Sequence, residues 1–109
     1  MSANRLLVVD DDAATRWALR AIFTRRGWQV IVAENVAEGI AALDPAPRCV
    51  ILDLNLPDGG GETILRTISA RGLSSRVAVL SQGRLSAPME RPFDVGKLGL
   101  MMAAAGTPA

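Results

Sequence analysis

A chain of 109 residues, half of them hydrophobic and about a fifth charged, is long enough for one domain with a real core and too short for two. That balance also excludes a disordered or fibrous protein. A formal net charge of +1 gives no global attraction to nucleic acid or to an anionic membrane surface. No apolar stretch reaches the ~18 residues of a membrane span, and the N-terminus has no signal-peptide pattern. Histidine is absent, so imidazole bases, imidazole ligands and phosphohistidine are excluded. The single cysteine, Cys49, lies in an apolar run without an internal partner; it reads as a small buried hydrophobe in a reducing, cytoplasmic setting.

The first of four short branched runs is Leu6-Leu7-Val8-Val9, which ends in Asp10-Asp11-Asp12. Such runs read as strands buried on both faces, and Asp12 is placed to cap the helix that follows. In that helix Ala14, Trp17, Ala18, Ala21 and Ile22 share helical spacing and are expected inward. Arg16, Arg20, Arg25 and Arg26 are expected on a solvated face, and Gly27 stops the helix. Trp17 and Trp28 both read as packing residues. The second strand covers 30–32. Asn35 with Glu38 then makes a capping-box start for a helix with the stripe Val36, Ile40 and Leu43, ended by Pro45.

The third strand, 50–52, runs into Asp53. Gly59-Gly60-Gly61 is not followed by Gly-Lys-Ser/Thr, so it reads as a flexible turn rather than a phosphate cradle. A third helix begins at about Gly61, turns Ile64, Leu65 and Ile68 inward, and closes at Gly72. The fourth strand is 77–80. A parallel crossover needs a dozen or so residues, and only 81–87 precede Pro88. An irregular loop is therefore expected, then a short or absent fifth strand around Met89, a last helix over about 94–105 and a tail at 106–109.

Strands alternating with helices imply a parallel sheet covered on both faces, with right-handed crossovers. Ligand sites of such sheets lie beyond the carboxyl ends of the strands. That edge collects Asp10, Asp11, Asp12, Asp53 and Ser81. Carboxylates brought this close repel one another unless a cation joins them, and Mg²⁺ takes few carboxylates and completes its shell with water or phosphate.

Val8-Val9-Asp10-Asp11, the run from Leu52-Asp53-Leu54-Asn55 to Leu56-Pro57-Asp58 with Gly61 after it, Val79-Leu80-Ser81, and Arg91-Pro92-Phe93 together resemble the receiver domain of bacterial two-component response regulators. The resemblance covers nearly the whole chain to Asp94. It implies an α/β, flavodoxin-like doubly wound parallel sheet of the (βα)5 kind, here with the fourth helix missing or replaced by a loop. The receiver would occupy 1–105, and 106–109 would be a tail or linker start.

The same resemblance implies that Asp53 is the phospho-acceptor. Asp10, Asp11, Asp53 and the backbone carbonyl of Asn55 would hold Mg²⁺, and the Ser81 hydroxyl would bind the phosphoryl group. Arg91 falls where the family has lysine, a fork in place of a compact ammonium. Gln82 stands where the family usually has a small residue and is expected to restrict access, slowing phosphorylation and hydrolysis alike. Pro88 occupies the place of the family's frequent switch aromatic, and the 81–92 loop is expected to change order on phosphorylation.

The implied upstream partner is a histidine kinase or phosphotransfer protein, and the downstream partner an unidentified protein, without direct contact to nucleic acid or membrane. Catalysis would be confined to the domain's own phosphorylation and dephosphorylation. Val95, Leu98, Leu100, Met101 and Met102 give the last helix more apolar surface than one stripe needs; it either offers a face for a homodimer or partner, or fills the space of the absent helix. An alternative is a pseudo-receiver, an interaction module working without phosphorylation. A phosphatase acting on outside substrates would need a further acid and a substrate-recognising insert, and a serine hydrolase at Ser81 would need a histidine.

Overall fold

The computed structural model describes residues 4–81 and 84–86. Strand β1 (Arg5–Val9) is followed by α1 (Ala13–Arg25), β2 (Gln29–Ala33), α2 (Val36–Ala41) and β3 (Cys49–Asp53). A small hairpin of β4 (Asn55–Leu56) and β5 (Gly59–Gly60) leads into α3 (Glu62–Ala70), then β6 (Arg76–Ser81) and β7 (Arg84–Leu85). The main sheet has the order β2-β1-β3-β6-β7. Its first four strands are parallel, while β7 is antiparallel to β6.

All four apolar runs of the sequence are strands, and their alternation divides the core in two. Leu7, Val9, Val50, Leu52, Val77 and Val79 pack with Val36 and Leu43 of the α2 segment and with Ile64, Leu65 and Ile68 of α3. Leu6, Val8, Ile51 and Leu80 face the other way, where Leu19 and Phe23 of α1 pack with Trp28, Val30 and Cys49. Helices therefore lie on both sides of the sheet, as the α/β reading required. No helix among the described residues is long and apolar enough to cross a membrane.

Three expectations are corrected here. The apolar row of α1 faces outward: Ala14, Trp17, Ala18, Ala21 and Ile22 are all exposed, with Trp17 76 % accessible. The reason is that Arg16, Leu19 and Phe23 form a competing row at helical spacing, and the docking of Arg16 at the sheet edge, described below, turns that row inward. The glycine run is not a loose turn either, because Asn55 and Leu56 pair with Gly60 and Gly59 in an antiparallel ladder. Finally, the stretch after Ser81 is not wholly irregular: Leu80 pairs with Leu85 and Ser81 with Arg84. Ser86 completes this reversal, its N–H donating to the Val79 carbonyl at 2.8 Å and its Oγ accepting from the Val79 N–H at 2.9 Å. The sheet is thus mixed at one edge.

The expectations for Gln82, Pro88, Met89, Arg91, the last helix and the tail lie outside the described residues.

Candidate functional site

The carboxyl ends of β1 and β3 bring Asp10, Asp11 and Asp53 together. One carboxylate oxygen from each lies within 4.8 Å of the others. Asp10 is buried, Asp53 half-buried and Asp11 exposed. The cause is the register: Val9 stands beside Leu52, so the next residue of each strand emerges at the same edge.

Asp10 is held on every side. Its N–H continues the ladder to the Ala33 carbonyl at 3.0 Å. Its own carbonyl accepts from Arg16 Nη1 at 2.7 Å, and Oδ1 accepts from the Asp12 N–H at 2.8 Å. Arg16 also pairs with Glu34 at 3.4 Å. This arginine, read from the sequence as solvated, instead ties α1 to the ends of β1 and β2. Its signal was available only in part: it shares a helical row with Leu19 and Phe23, but Glu34 is remote in sequence.

Asp12 does what the sequence suggested. Its Oδ2 accepts from the Thr15 N–H at 3.1 Å and from the Thr15 hydroxyl, capping α1. These bonds, the hydroxyl's first, hold its carboxyl below the ordinary carboxylate range. Asp12 therefore serves the helix rather than the trio.

Asp53 Oδ1 accepts from the Asn55 N–H at 3.0 Å, which fixes the plane of the carboxylate. Gly61 donates to the Leu54 carbonyl at 2.9 Å, so Asn55 occupies a non-hydrogen-bonded position of the β4–β5 ladder and its carbonyl points out of that ladder. Gly61 itself passes tightly beneath the site. A Cβ there would lie 2.7 Å from the Asp53 carbonyl oxygen and 2.9 Å from Leu54 Cα, backbone atoms that cannot turn aside. The loop can close under Asp53 only with glycine.

Asp58 is the residue that sequence reasoning missed. From the β4–β5 turn its two carboxylate oxygens accept from the N–H groups of Val36 at 2.7 Å and Ala37 at 3.1 Å, so the loop after Asp53 caps the start of α2. These bonds, that from Val36 foremost, hold the Asp58 carboxyl low. Asn35 caps the same helix, accepting from the Glu38 N–H at 2.8 Å. Only Asn35 was visible in the sequence, because Asp58 reaches its partners across 21 and 22 positions.

Burial is the main force on the two inner carboxylates and pushes both Asp10 and Asp53 upward. The Asp12 N–H opposes it at Asp10, where the charges of Asp53, Asp11 and Asp12 add to the rise; at Asp53 the Asn55 N–H and the Asp10 side chain oppose it and the charge of Asp11 adds to it. An ionised trio is therefore strained by desolvation and by like charge. A hard divalent cation relieves both, and three carboxylates on two strand ends are an oxygen donor set of the kind Mg²⁺ takes.

Ser81 ends β6, one residue beyond Leu80, which stands beside Asp53 in the sheet. The structure thus places Asp10, Asp11, Asp53, Asn55 and the backbone of Ser81 along one edge.

The family model for the response regulator receiver domain matches residues 6–101. The acid tolerance regulatory protein ActR of Rhizobium meliloti is 42 % identical over 77 residues, covering 70 % of this chain and 40 % of that protein. The transcriptional regulatory protein KdpE of Mycobacterium tuberculosis is 41 % identical over 93 residues, covering 84 % of this chain and 40 % of its own length. The chain thus spans about 40 % of these two relatives. Among solved structures, the non-phosphorylated HemR receiver domain from Leptospira biflexa superposes with a TM-score of 0.68 at 23 % identity, covering 93 % of this chain and 92 % of that one. The Vibrio cholerae chemotaxis protein CheY4 gives 0.68 at 17 %, covering 93 % and 97 %. At these identities the structural likeness concerns the fold.

Proposed function

Because the chain belongs to the response regulator receiver family, we propose that it takes a phosphoryl group onto Asp53 from a histidine kinase or phosphotransfer protein in the cytoplasm, and signals by changed protein contacts. The observation that carries this reading is the meeting of the Asp10, Asp11 and Asp53 carboxylates within 4.8 Å at the carboxyl ends of β1 and β3, at a cost in like-charge repulsion that a cation offsets.

Asp10, Asp11, Asp53 and the outward carbonyl of Asn55 would hold Mg²⁺, which when bound supplies the positive charge that lets an anionic nucleophile meet an anionic phosphoryl group. The work of the chain is positioning. Buried Asp10 is immobilised by three hydrogen bonds, and the Asn55 N–H fixes Asp53 Oδ1, leaving Oδ2 to attack phosphorus. The bond from phosphorus to the donor breaks as the new O–P bond forms, and the donor leaves with the electron pair. Charge in such a transition state sits on the equatorial oxygens, so fixed donors matter more than covalent chemistry. The Ser81 hydroxyl would bind one of those oxygens. A cationic side chain is also needed, and the sequence offers Arg91 for it, with Gln82 restricting access. The unit we assign to this activity is 1–105, and its catalysis is confined to its own phosphorylation and dephosphorylation.

Intact mass after incubation with acetyl phosphate and Mg²⁺ tests the reading. One phosphoryl adduct is expected, absent with chelator and absent in Asp53→Asn. No adduct on folded wild-type protein, with a conventional receiver labelled in parallel, overturns it.

A further inference from the structure

The two hydrogen bonds of Asp58 reach further than the helix they cap. Asp58 lies in the turn of the β4–β5 hairpin, between Leu56 and Gly59. The base of that hairpin is anchored from inside: Leu54 and Leu56 are buried in the core beside Val36, and the Gly61 N–H bonds to the Leu54 carbonyl at 2.9 Å. The turn has no such anchor in the core, because Pro57, Asp58 and Gly59 are all exposed. It leaves Asp58 through Gly59 at φ +149°, a conformation that glycine adopts without fixing. What holds the turn is the Asp58 carboxylate, one oxygen on the Val36 N–H at 2.7 Å and the other on the Ala37 N–H at 3.1 Å.

The turn in turn places Asn55. Gly59 and Gly60 follow Asp58 directly and pair with Leu56 and Asn55, so the position of β5 sets where Asn55 lies. Asn55 is exposed between the buried Leu54 and Leu56. Its N–H is given to Asp53 Oδ1, and its carbonyl is the one backbone group assigned above to Mg²⁺. Asp58 does not take the ion itself, since both of its oxygens are engaged by α2 and it is not one of the acids that meet within 4.8 Å. A carboxylate suits this anchor because it offers one acceptor oxygen to each N–H and carries charge toward two helix-start donors. An amide has one acceptor atom and no charge.

We propose that Asp58 is a positioning residue for the acid edge: by tying the hairpin turn to the start of α2, it holds the Asn55 carbonyl where Mg²⁺ binds. This role rests on the Mg²⁺-dependent acceptor reading above. Releasing the turn lets β5 shift, Asn55 shifts with it, and the ion loses a ligand although all three carboxylates remain.

The test is Mg²⁺ titration calorimetry on the full chain, comparing wild type with Asp58→Ala, Asp58→Asn and Asn35→Ala, each shown to be folded by urea unfolding. Asn35→Ala removes the other cap of α2 and leaves the hairpin turn in place, so it separates a weakened helix from a released loop. The dissociation constant is expected to rise about tenfold in Asp58→Ala, the lower end for loss of a group that orients a metal ligand. A smaller rise is expected in Asp58→Asn and none in Asn35→Ala. Adduct formation from acetyl phosphate is expected to slow in Asp58→Ala at limiting Mg²⁺ and to recover at saturating Mg²⁺, because the carboxylates are untouched. Should Asp58→Ala fold poorly, Asp58→Asn carries the same comparison. Mg²⁺ affinity unchanged in the Asp58 variants, an equal loss in Asn35→Ala, or a rate that saturating Mg²⁺ does not restore overturns the positioning role alone. A wild-type protein that binds no Mg²⁺ and takes no phosphoryl group overturns the acceptor reading and this role with it.

Discussion

Leu65 of α3 is fully buried and Trp17 of α1 is 76 % exposed, although both helices cover the same sheet. On the α2–α3 side the strand residues meet two helices, and Ile64, Leu65 and Ile68 are all sealed from water. On the α1 side the helix buries no residue completely, and Leu19 and Phe23 are half-buried against Leu6, Val8, Ile51 and Leu80. The difference also extends to the helix starts. α1 is capped from within its own segment by Asp12, whereas α2 is capped both by Asn35 and, from the loop after Asp53, by Asp58. The lesson is that the α2–α3 side is coupled to the acid edge by its packing and by a charged clamp, while α1 is joined to it chiefly through Arg16.

Deleting side chains from the two faces makes this contrast quantitative. Leu65→Ala is expected to cost about 2–5 kcal/mol, the range for truncating a buried leucine in a packed core. Phe23→Ala, on a side that is half-open, is expected to cost less, about 1–3 kcal/mol. Urea unfolding of both variants checks the order; equal losses would mean that the two faces carry equal weight.

The Asp58 clamp gives a smaller effect with a pH signature. Its folded-state carboxyl is held below 3.8, so the stabilisation is complete above the unfolded value and is lost as pH falls through the folded one. Asp58→Asn is therefore expected to lower the urea midpoint at pH 7 and at pH 5, and the gap to wild type is expected to close in the acid range below 3.8. A gap independent of pH would show that the clamp works by shape rather than charge.

The smallest effect is expected at Trp17. Trp17→Ala is expected to change stability by no more than about 0.5 kcal/mol, as for exposed sites without special contacts. A larger loss by urea unfolding would show that the outward row of α1 is covered in solution.

What could be read from the sequence were features written within a few residues. Four branched runs announced four strands, Asp12 and Asn35 announced their helices, and the single apolar stripe of α3 could face only one way. The acids that end the 6–9 and 50–52 runs were legible too, because a parallel sheet sends the ends of its strands to a common edge whatever the details of packing. α1 was read wrongly because it carries two rows of apolar residues a fraction of a turn apart, and periodicity cannot choose between them. The choice was made by Arg16, whose partners are a carbonyl just after β1 and a carboxylate just after β2.

Asp58, Gly61 and Arg84 were likewise decided in three dimensions. Asp58 meets α2 from 21 and 22 residues away, and Gly61 is required by the backbone of Asp53 above it. Arg84 stands beside Ser81 because the chain reverses beside β6. Local pattern dictates period and capping, since those depend on neighbours along the chain. Which face turns inward, and which charge arrives at the site, depends on neighbours across the sheet, and only folding brings those together.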